Sequence, residues 1–154
     1  MTTKLLSKAP PTTHFHLATD RWTEPFWQAT ARHELQLPRC GDCGQFRMPP
    51  GPFCPNCQSS VVEWVELPGT GAVYSFTIIT NPPFPEAVDQ LPYAPAIIEI
   101  DGAPGARIVS AVVDAPIDQI EIGSRVALVW EDLPDGVTLP RFRLSDDERV
   151  AWDH

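Results

Sequence analysis

The chain is 154 residues long and carries a formal charge of −9, from 11 basic and 20 acidic side chains, with 43% hydrophobic content. That size fits one domain, or one domain with a small satellite, and no apolar run is long enough for a membrane-spanning helix. The acidic balance disfavours nucleic acid, whose phosphates need cations to displace their counterions, and 18 prolines argue against a mainly helical fold.

Residues 1 to about 19 show no periodicity, which predicts a flexible or partner-ordered leader. Met1–Pro11 lacks the apolar core of a signal peptide, so a cytoplasmic protein is expected. A short helix follows, running to about Glu34: Thr23 can cap it, Glu24 suits its positive end, and Pro25 is tolerated in its first turn. Trp22, Phe26 and Ala29 would share one face, with Trp27 and Ala31 beside it. That aromatic stripe packs on the domain or serves as a docking face, with Phe26 and Trp27 as its candidate contacts.

Leu35–Arg39 reads as a strand leading into Cys40-Gly41-Asp42-Cys43, and Cys54-Pro55-Asn56-Cys57 follows after ten residues. These are the four cysteines of the chain. Two CxxC turns folded onto one another present four soft ligands to one tetrahedral ion, so Cys40, Cys43, Cys54 and Cys57 are expected to hold a single structural zinc. Iron on four thiolates, two disulfides and a redox pair are the alternatives. Disulfides suit a secreted protein, and redox chemistry fits two matched pairs poorly. With four protein ligands no position stays open for substrate, and one divalent ion on four thiolates makes the charge balance more negative by two.

From Val61 the pattern changes to strands between turns: residues 61–67, 72–80, 96–100, 107–113, 125–130 and 139–144, with one helical turn at 116–120. This predicts a mainly β protein whose later part is a five-stranded Greek-key barrel of OB type, with a small sandwich as the alternative. The expected division is a leader and helix over 1–34, a rubredoxin-like zinc ribbon over 35–60, the barrel over 61–144, and an acidic flexible tail over 145–154. The loop 81–95 joins the first two barrel strands and offers Phe84, Val88, Leu91 and Tyr93 as apolar anchors. It either folds over the open barrel end or meets a partner. Arg141 and Arg143 form the densest basic spot, to be neutralised by nearby acids or to meet the phosphates of a CoA or an acidic partner.

A search for catalytic chemistry finds none to assign. The cysteines are claimed by the metal, and neither a Gly-x-Ser-x-Gly elbow nor a phosphate-cradling glycine loop occurs. His14 and His16 lie in the leader and His154 at the terminus. His33 is expected at a helix end favoured by the dipole, and Asp132, Asp135, Asp146 and Asp147 in acidic surface loops.

In their order, the Pro25-Phe26-Trp27 helix, Leu35-Gln36-Leu37-Pro38-Arg39-Cys40, the ribbon with Phe53-Cys54-Pro55-Asn56-Cys57, Glu63-Trp64, Gly69-Thr70-Gly71, Val73-Tyr74-Ser75-Phe76-Thr77, Leu91-Pro92-Tyr93, Ile122-Gly123 and Leu139-Pro140-Arg141-Phe142 carry a resemblance. The chain resembles the zinc-ribbon plus OB-fold proteins catalogued as domain of unknown function thirty-five, over residues 22 to 143. That resemblance implies a non-catalytic accessory subunit in acyl-CoA metabolism. Its partner would be a thiolase-fold, aldolase or hydratase subunit in a hetero-oligomer, with acyl-CoA at the shared interface. The metal ligands carry over to the same four cysteines. Two rival expectations stand beside it. One is an independent acyl-CoA or lipid carrier with the barrel mouth as its pocket. The other is a single-strand nucleic-acid module, disfavoured because Val61–Asp101 contains no lysine or arginine.

Overall fold

The computed structural model describes residues 4–152, so the ends of the expected leader and tail, His154 included, lie outside it. One helix, α1 (Glu24–Ala31), precedes β1 (Gln36–Cys40), β2 (Val62–Glu66), β3 (Thr70–Phe76), β4 (Ala94–Ile100), β5 (Arg107–Val112), β6 (Arg125–Asp132) and β7 (Thr138–Leu144). The strands β3-β4-β5-β7-β6 close into a barrel, with a 3-10 turn at Ile117–Gln119 between β5 and β6. This is the five-stranded OB arrangement expected from the strand pattern.

Alternation along the strands builds the core. In β4, Ala94, Ala96, Ile98 and Ile100 point inward and are buried, while the residues between them are half-exposed. Val73, Val112, Val126 and Phe142 meet them from the other strands. Gly71 is required where β3 crosses β4, because a Cβ there would run into the Glu99 carbonyl.

Four expectations need correction. The segment 61–67, placed with the barrel above, contributes β2, which pairs antiparallel with β1 from Gln36↔Glu66 to Cys40↔Val62. Its alternation signals a strand correctly but cannot name the partner, and the partner is the strand entering the first knuckle.

Thr23 has helical backbone angles and no capping bond. Asp20 performs that role: its Oδ1 accepts from the Trp22 and Thr23 amides, both at 2.9 Å. The Thr23 amide is the leading cause of an Asp20 carboxyl held below the ordinary carboxylate range. The turn Asp20–Thr23 that leads into the helix is thus capped by Asp20, outside the expected position.

The described part of the leader is tied down. Ser7 donates its amide to Ala115 and accepts from Asp114, both at 2.8 Å, while the Lys8 amide donates to Pro92 at 2.8 Å. Leu6 and Lys8 bridge to Pro116 and Tyr93, so this strip joins two barrel connections that lie far apart in sequence.

The tail is also ordered as far as Trp152. The Ser145 amide donates to Arg125 at 2.8 Å, the Val150 amide to Gly123 at 2.9 Å, and Trp152 meets Tyr74 edge-on at 5.8 Å. Gly123 has φ +87°, and a Cβ there would collide with the Val150 carbonyl. Gly123→Ala is therefore expected to release the tail and cost about 1–2 kcal/mol. Faster tryptic cleavage after Arg149 checks it, and unchanged cleavage would contradict the clamp.

A bidentate ion pair braces the barrel where β3, β4 and β6 meet. Arg125 donates to both oxygens of Asp101, and the Thr70 hydroxyl donates to the same carboxylate at 2.7 Å. The Arg125 bonds lead the causes that hold the Asp101 carboxyl low. Its folded pKa lies below the unfolded one, so its stabilisation is present above the ordinary carboxylate range and is lost as pH falls through the folded value. The urea midpoint of Asp101→Asn should trail the wild type at neutral pH and converge with it towards about pH 3.

Candidate functional site

The two knuckles form because β1 ends at Cys40 and a tight turn returns the chain, with the Cys40 amide donating to Gln45 and the Gly44 amide to Cys40. The second knuckle repeats the device, with the Cys54 amide donating to Ser59 and the Gln58 amide to Cys54. All four ligand sulfurs lie within 4.8 Å of one another. The Cys40–Cys57 and Cys43–Cys54 sulfur pairs are each 3.5 Å apart. A tetrahedral ion with bonds of about 2.3 Å needs sulfurs about 3.8 Å apart, so the cluster already has the required shape. Cys40 and Cys54 are buried, and Cys43 and Cys57 face solvent.

The electrostatics agree. The Cys43 amide leads the groups that lower the Cys40 thiol to about 6, and the Cys57 amide leads those that lower Cys54. For Cys57 the Ser59 amide favours the thiolate, but the Cys40 sulfur, burial and the other two sulfurs push it up to about 12. Four sulfurs this close cannot all ionise alone, whereas a divalent cation among them removes the repulsion. The residues therefore fit a closed structural metal site that offers no open coordination position.

Arg47, on the segment returning from the first knuckle, gave no periodic or motif signal. It is only 4% exposed. Its guanidinium donates to the carbonyls of Gly51 at 3.2 Å, Ser59 at 3.0 Å and Val61 at 3.2 Å. Ser59 also accepts the Cys54 amide, and Val61 accepts the amide of Gly41 beside Cys40. One cation is thus a single hydrogen bond removed from both knuckles.

The contact candidates separate into three places. Phe26, Trp27 and Arg141 line one groove of about 510 Å³, together with leader residues, Met48 of the ribbon, and β5 and β7. Phe84, Leu91 and Tyr93 stay on the 81–95 connection, where Phe84 meets His14 edge-on at 4.7 Å and the Tyr93 amide bonds to Ile79. Arg143 pairs with Asp114 at 2.8 Å, and Arg141 with Glu131 at 3.1 Å. Alternation along β7 splits the basic spot, with Phe142 fully buried between the two outward arginines. The groove is assembled from five segments, which no local pattern announces.

His33 also departs from expectation. It lies beyond the helix at φ +58°, stacks on Trp130, and its Nε2 sits 2.9 Å from the Asp132 carboxylate. The His33 bond leads the causes that hold Asp132 low, ahead of the Thr138 hydroxyl. The pair fastens the end of α1 to β6, a packing role and not a helix-dipole one. The hydroxyl bonded to the same carboxylate belongs to buried Thr138. With the four cysteines gathered in the ribbon, no nucleophile accompanies this imidazole among the described residues.

Residues 27–63 match a family model described as "ChsH2, rubredoxin-like zinc ribbon domain", and residues 64–131 match "ChsH2, C-terminal OB-fold domain". A "DUF35 domain-containing scaffold protein" of Methanothermobacter thermautotrophicus is 36% identical over 119 residues, 74% of this chain and 87% of that protein. The chain belongs to the DUF35 family. A "Probable enoyl-CoA hydratase alpha subunit" of Thermomonospora curvata is similar to this DUF35 chain at 40% identity over 119 residues. The match covers 77% of this chain but 36% of that protein, so the chain spans about a third of the hydratase subunit's length. The solved structure "Ltp2-ChsH2(DUF35) aldolase" contains a chain with TM-score 0.75 and 36% identity, covering 84% of this DUF35 chain and 98% of that one. Among the described residues, no helix is long and apolar enough to cross a membrane.

Proposed function

We propose that this chain is a non-catalytic subunit that supports a partner enzyme of acyl-CoA metabolism, stabilising it and shaping substrate access. The observation that carries this reading is the likeness, over 84% of the chain, to the DUF35 component of an aldolase assembly. The name of the hydratase relative points to the same class of chemistry. A closed metal site with no open position supplies structure and no reacting group.

The partner in this reading is a thiolase-superfamily enzyme, with aldolase and hydratase subunits as the neighbouring cases, and the assembly is a cytoplasmic hetero-oligomer with acyl-CoA at the shared interface. Zinc, not iron, is the ion of the ribbon. Docking surfaces are supplied by Trp27 of α1, whose neighbour Phe26 is buried in the core and offers no surface, by Phe84, Leu91 and Tyr93 of the 81–95 connection, and by Arg141 and Arg143 on β7. Phe53, 63% exposed on the ribbon, extends them.

Co-purification from the native host at ordinary expression level tests the reading. Recovery of a thiolase-like, aldolase or hydratase subunit at fixed stoichiometry is expected. Recovery of the chain alone would overturn it. Phe84→Ala with Tyr93→Ala should weaken that association at least tenfold while zinc content and melting temperature stay unchanged, on the order expected for two aromatic anchors.

A further inference from the structure

β5 and β7 share a single ladder position, Val112↔Phe142, and part towards Arg107 and Thr138. That seam is bridged, because the Ser110 hydroxyl donates to the Pro140 carbonyl at 2.6 Å. An unpaired edge on the ribbon has no such bridge. β1 is the inner strand there: β2 pairs with it on one side, while on the other the Arg47 amide donates to the Pro38 carbonyl at 2.8 Å and Arg39 bridges to Phe46. β2 is therefore the outer strand. The Leu67 amide donates to Leu35 and the Gly41 amide to Val61, so residues 61, 63, 65 and 67 turn their backbone groups towards β1. Val62, Trp64 and Glu66 turn theirs the other way. Their amides and carbonyls have no hydrogen-bond partner among the described residues.

Natural edges are commonly shielded by prolines, lysines or bulges. Val62-Glu63-Trp64-Val65-Glu66 contains no proline and no lysine, and its register with β1 runs without a shift. Val62 is 39% exposed, and Trp64 and Val65 are half-buried. The charge on the strand is acidic. Glu63 and Glu66 are both exposed; Glu63 pairs with Arg39 at 2.9 Å, whereas Glu66 has no ion pair among the described residues. On a chain of net charge −9, two carboxylates in five residues repel a second copy of the same edge and favour a basic strand.

We propose that β2 is a docking edge that takes one extended segment of a partner protein as a third, antiparallel strand of the ribbon sheet. The segment's backbone pairs with Val62, Trp64 and Glu66; it sets apolar side chains beside Val62 and Trp64 and a lysine or arginine beside Glu66. The inference rests on the proposed function only for which protein supplies the segment.

The test uses the full metal-loaded chain and the peptide Thr-Lys-Thr-Val-Thr-Val-Thr, acetylated and amidated at its ends, which places lysine beside Glu66 in the antiparallel register. Binding in the millimolar range or tighter is expected, with hydrogen exchange slowed at the amides of Val62, Trp64 and Glu66. Those of Glu63 and Val65, already bonded to β1, should keep their rates. The same peptide with glutamate in place of lysine should bind about threefold more weakly, the size of a cross-strand charge pair. Glu66→Lys should reverse that preference at unchanged melting temperature and metal content. Val62→Pro removes an outward donor and spares the β1 ladder, so it should weaken binding about tenfold.

A peptide methylated at every amide nitrogen should not bind; equal affinity for it would overturn the proposal, because charge alone would then hold the segment. No preference between lysine and glutamate peptides would overturn it as well, and so would absence of binding or protection confined to other strands. Concentration-dependent dimers that protect the same three amides would give the edge to a second copy of the chain. In a co-purified enzyme complex the three amides should be slowed too, and unchanged rates there would remove the docking role. A failed co-purification with intact peptide binding would strike only the proposed function.

Discussion

Cys54→Ser is expected to unfold the ribbon and leave the barrel folded. Cys54 is buried, its sulfur lies 3.5 Å from Cys43, and it receives the Asn56 amide at 3.4 Å, so the oxygen of serine would be both short and hard for the site. A structural tetrathiolate site contributes about 10 kcal/mol or more of folding free energy, more than the few apolar side chains of the ribbon, Leu35 and Leu37 among them, supply by burial. The β1–β2 pair and both knuckles should therefore lose their order together. The barrel keeps its own interior of Val73, Ile98, Val112, Val126 and Phe142, and should melt as a separate transition. Amide spectra with residue-level assignment measure it: resonances of 36–66 collapse while those of β3 to β7 persist. A single cooperative loss of both parts would show that ribbon and barrel fold as one unit. Treatment of the wild type with a strong chelator should reproduce the same pattern.

Arg47→Leu should cost about 2–3 kcal/mol of ribbon stability, since three charge-assisted bonds disappear and a buried aliphatic group recovers part of the loss. Two of its partners, the Ser59 and Val61 carbonyls, also accept the amides of Cys54 and Gly41 in the two knuckles, so the damage appears as a looser metal site. Competition with a chromophoric chelator should show metal affinity weakened by about 10–100-fold, the usual effect of groups that support ligands from behind. Lysine at this position keeps the charge but reaches fewer carbonyls. Partial recovery by Arg47→Lys would assign the effect to charge, and no recovery would assign it to the fork of bonds. Unchanged affinity in both variants would contradict the bracing role.

Much of this architecture was legible in the residues because its causes are local. Ligand spacing within four residues shapes each knuckle, and inside–outside alternation marks each strand. Non-local causes were hidden. Val62–Glu66 alternates like any strand, and only the folded chain reveals that β1 is its neighbour. Thr23 has the chemistry of a cap, yet Asp20 three residues earlier caps the turn ahead of it, accepting the amides of Trp22 and of Thr23 itself. The leader and tail look structureless because their partners, Ala115, Pro92 and Gly123, lie far away in sequence. Arg47 resembles any strand arginine until the second knuckle folds over it. The groove draws on segments around residues 12, 27, 48, 108 and 140, which only the folded chain brings together.

The single ladder position between β5 and β7 has a kinetic consequence. Backbone direction alternates along β5, and the Val113 amide donates to Phe142, so the amides of Ala111, Val109 and Arg107 face the same side. Those of Val109 and Arg107 open onto the parted strands, whereas Ile108 and Ser110 turn towards β4. In deuterated solvent Val109 and Arg107 should lose their protons early, and Ile108 and Ser110 late, so fast and slow amides alternate along one strand. Whatever fills the space above that seam should slow the fast set selectively, so two amide signals report occupancy without any label on the occupant.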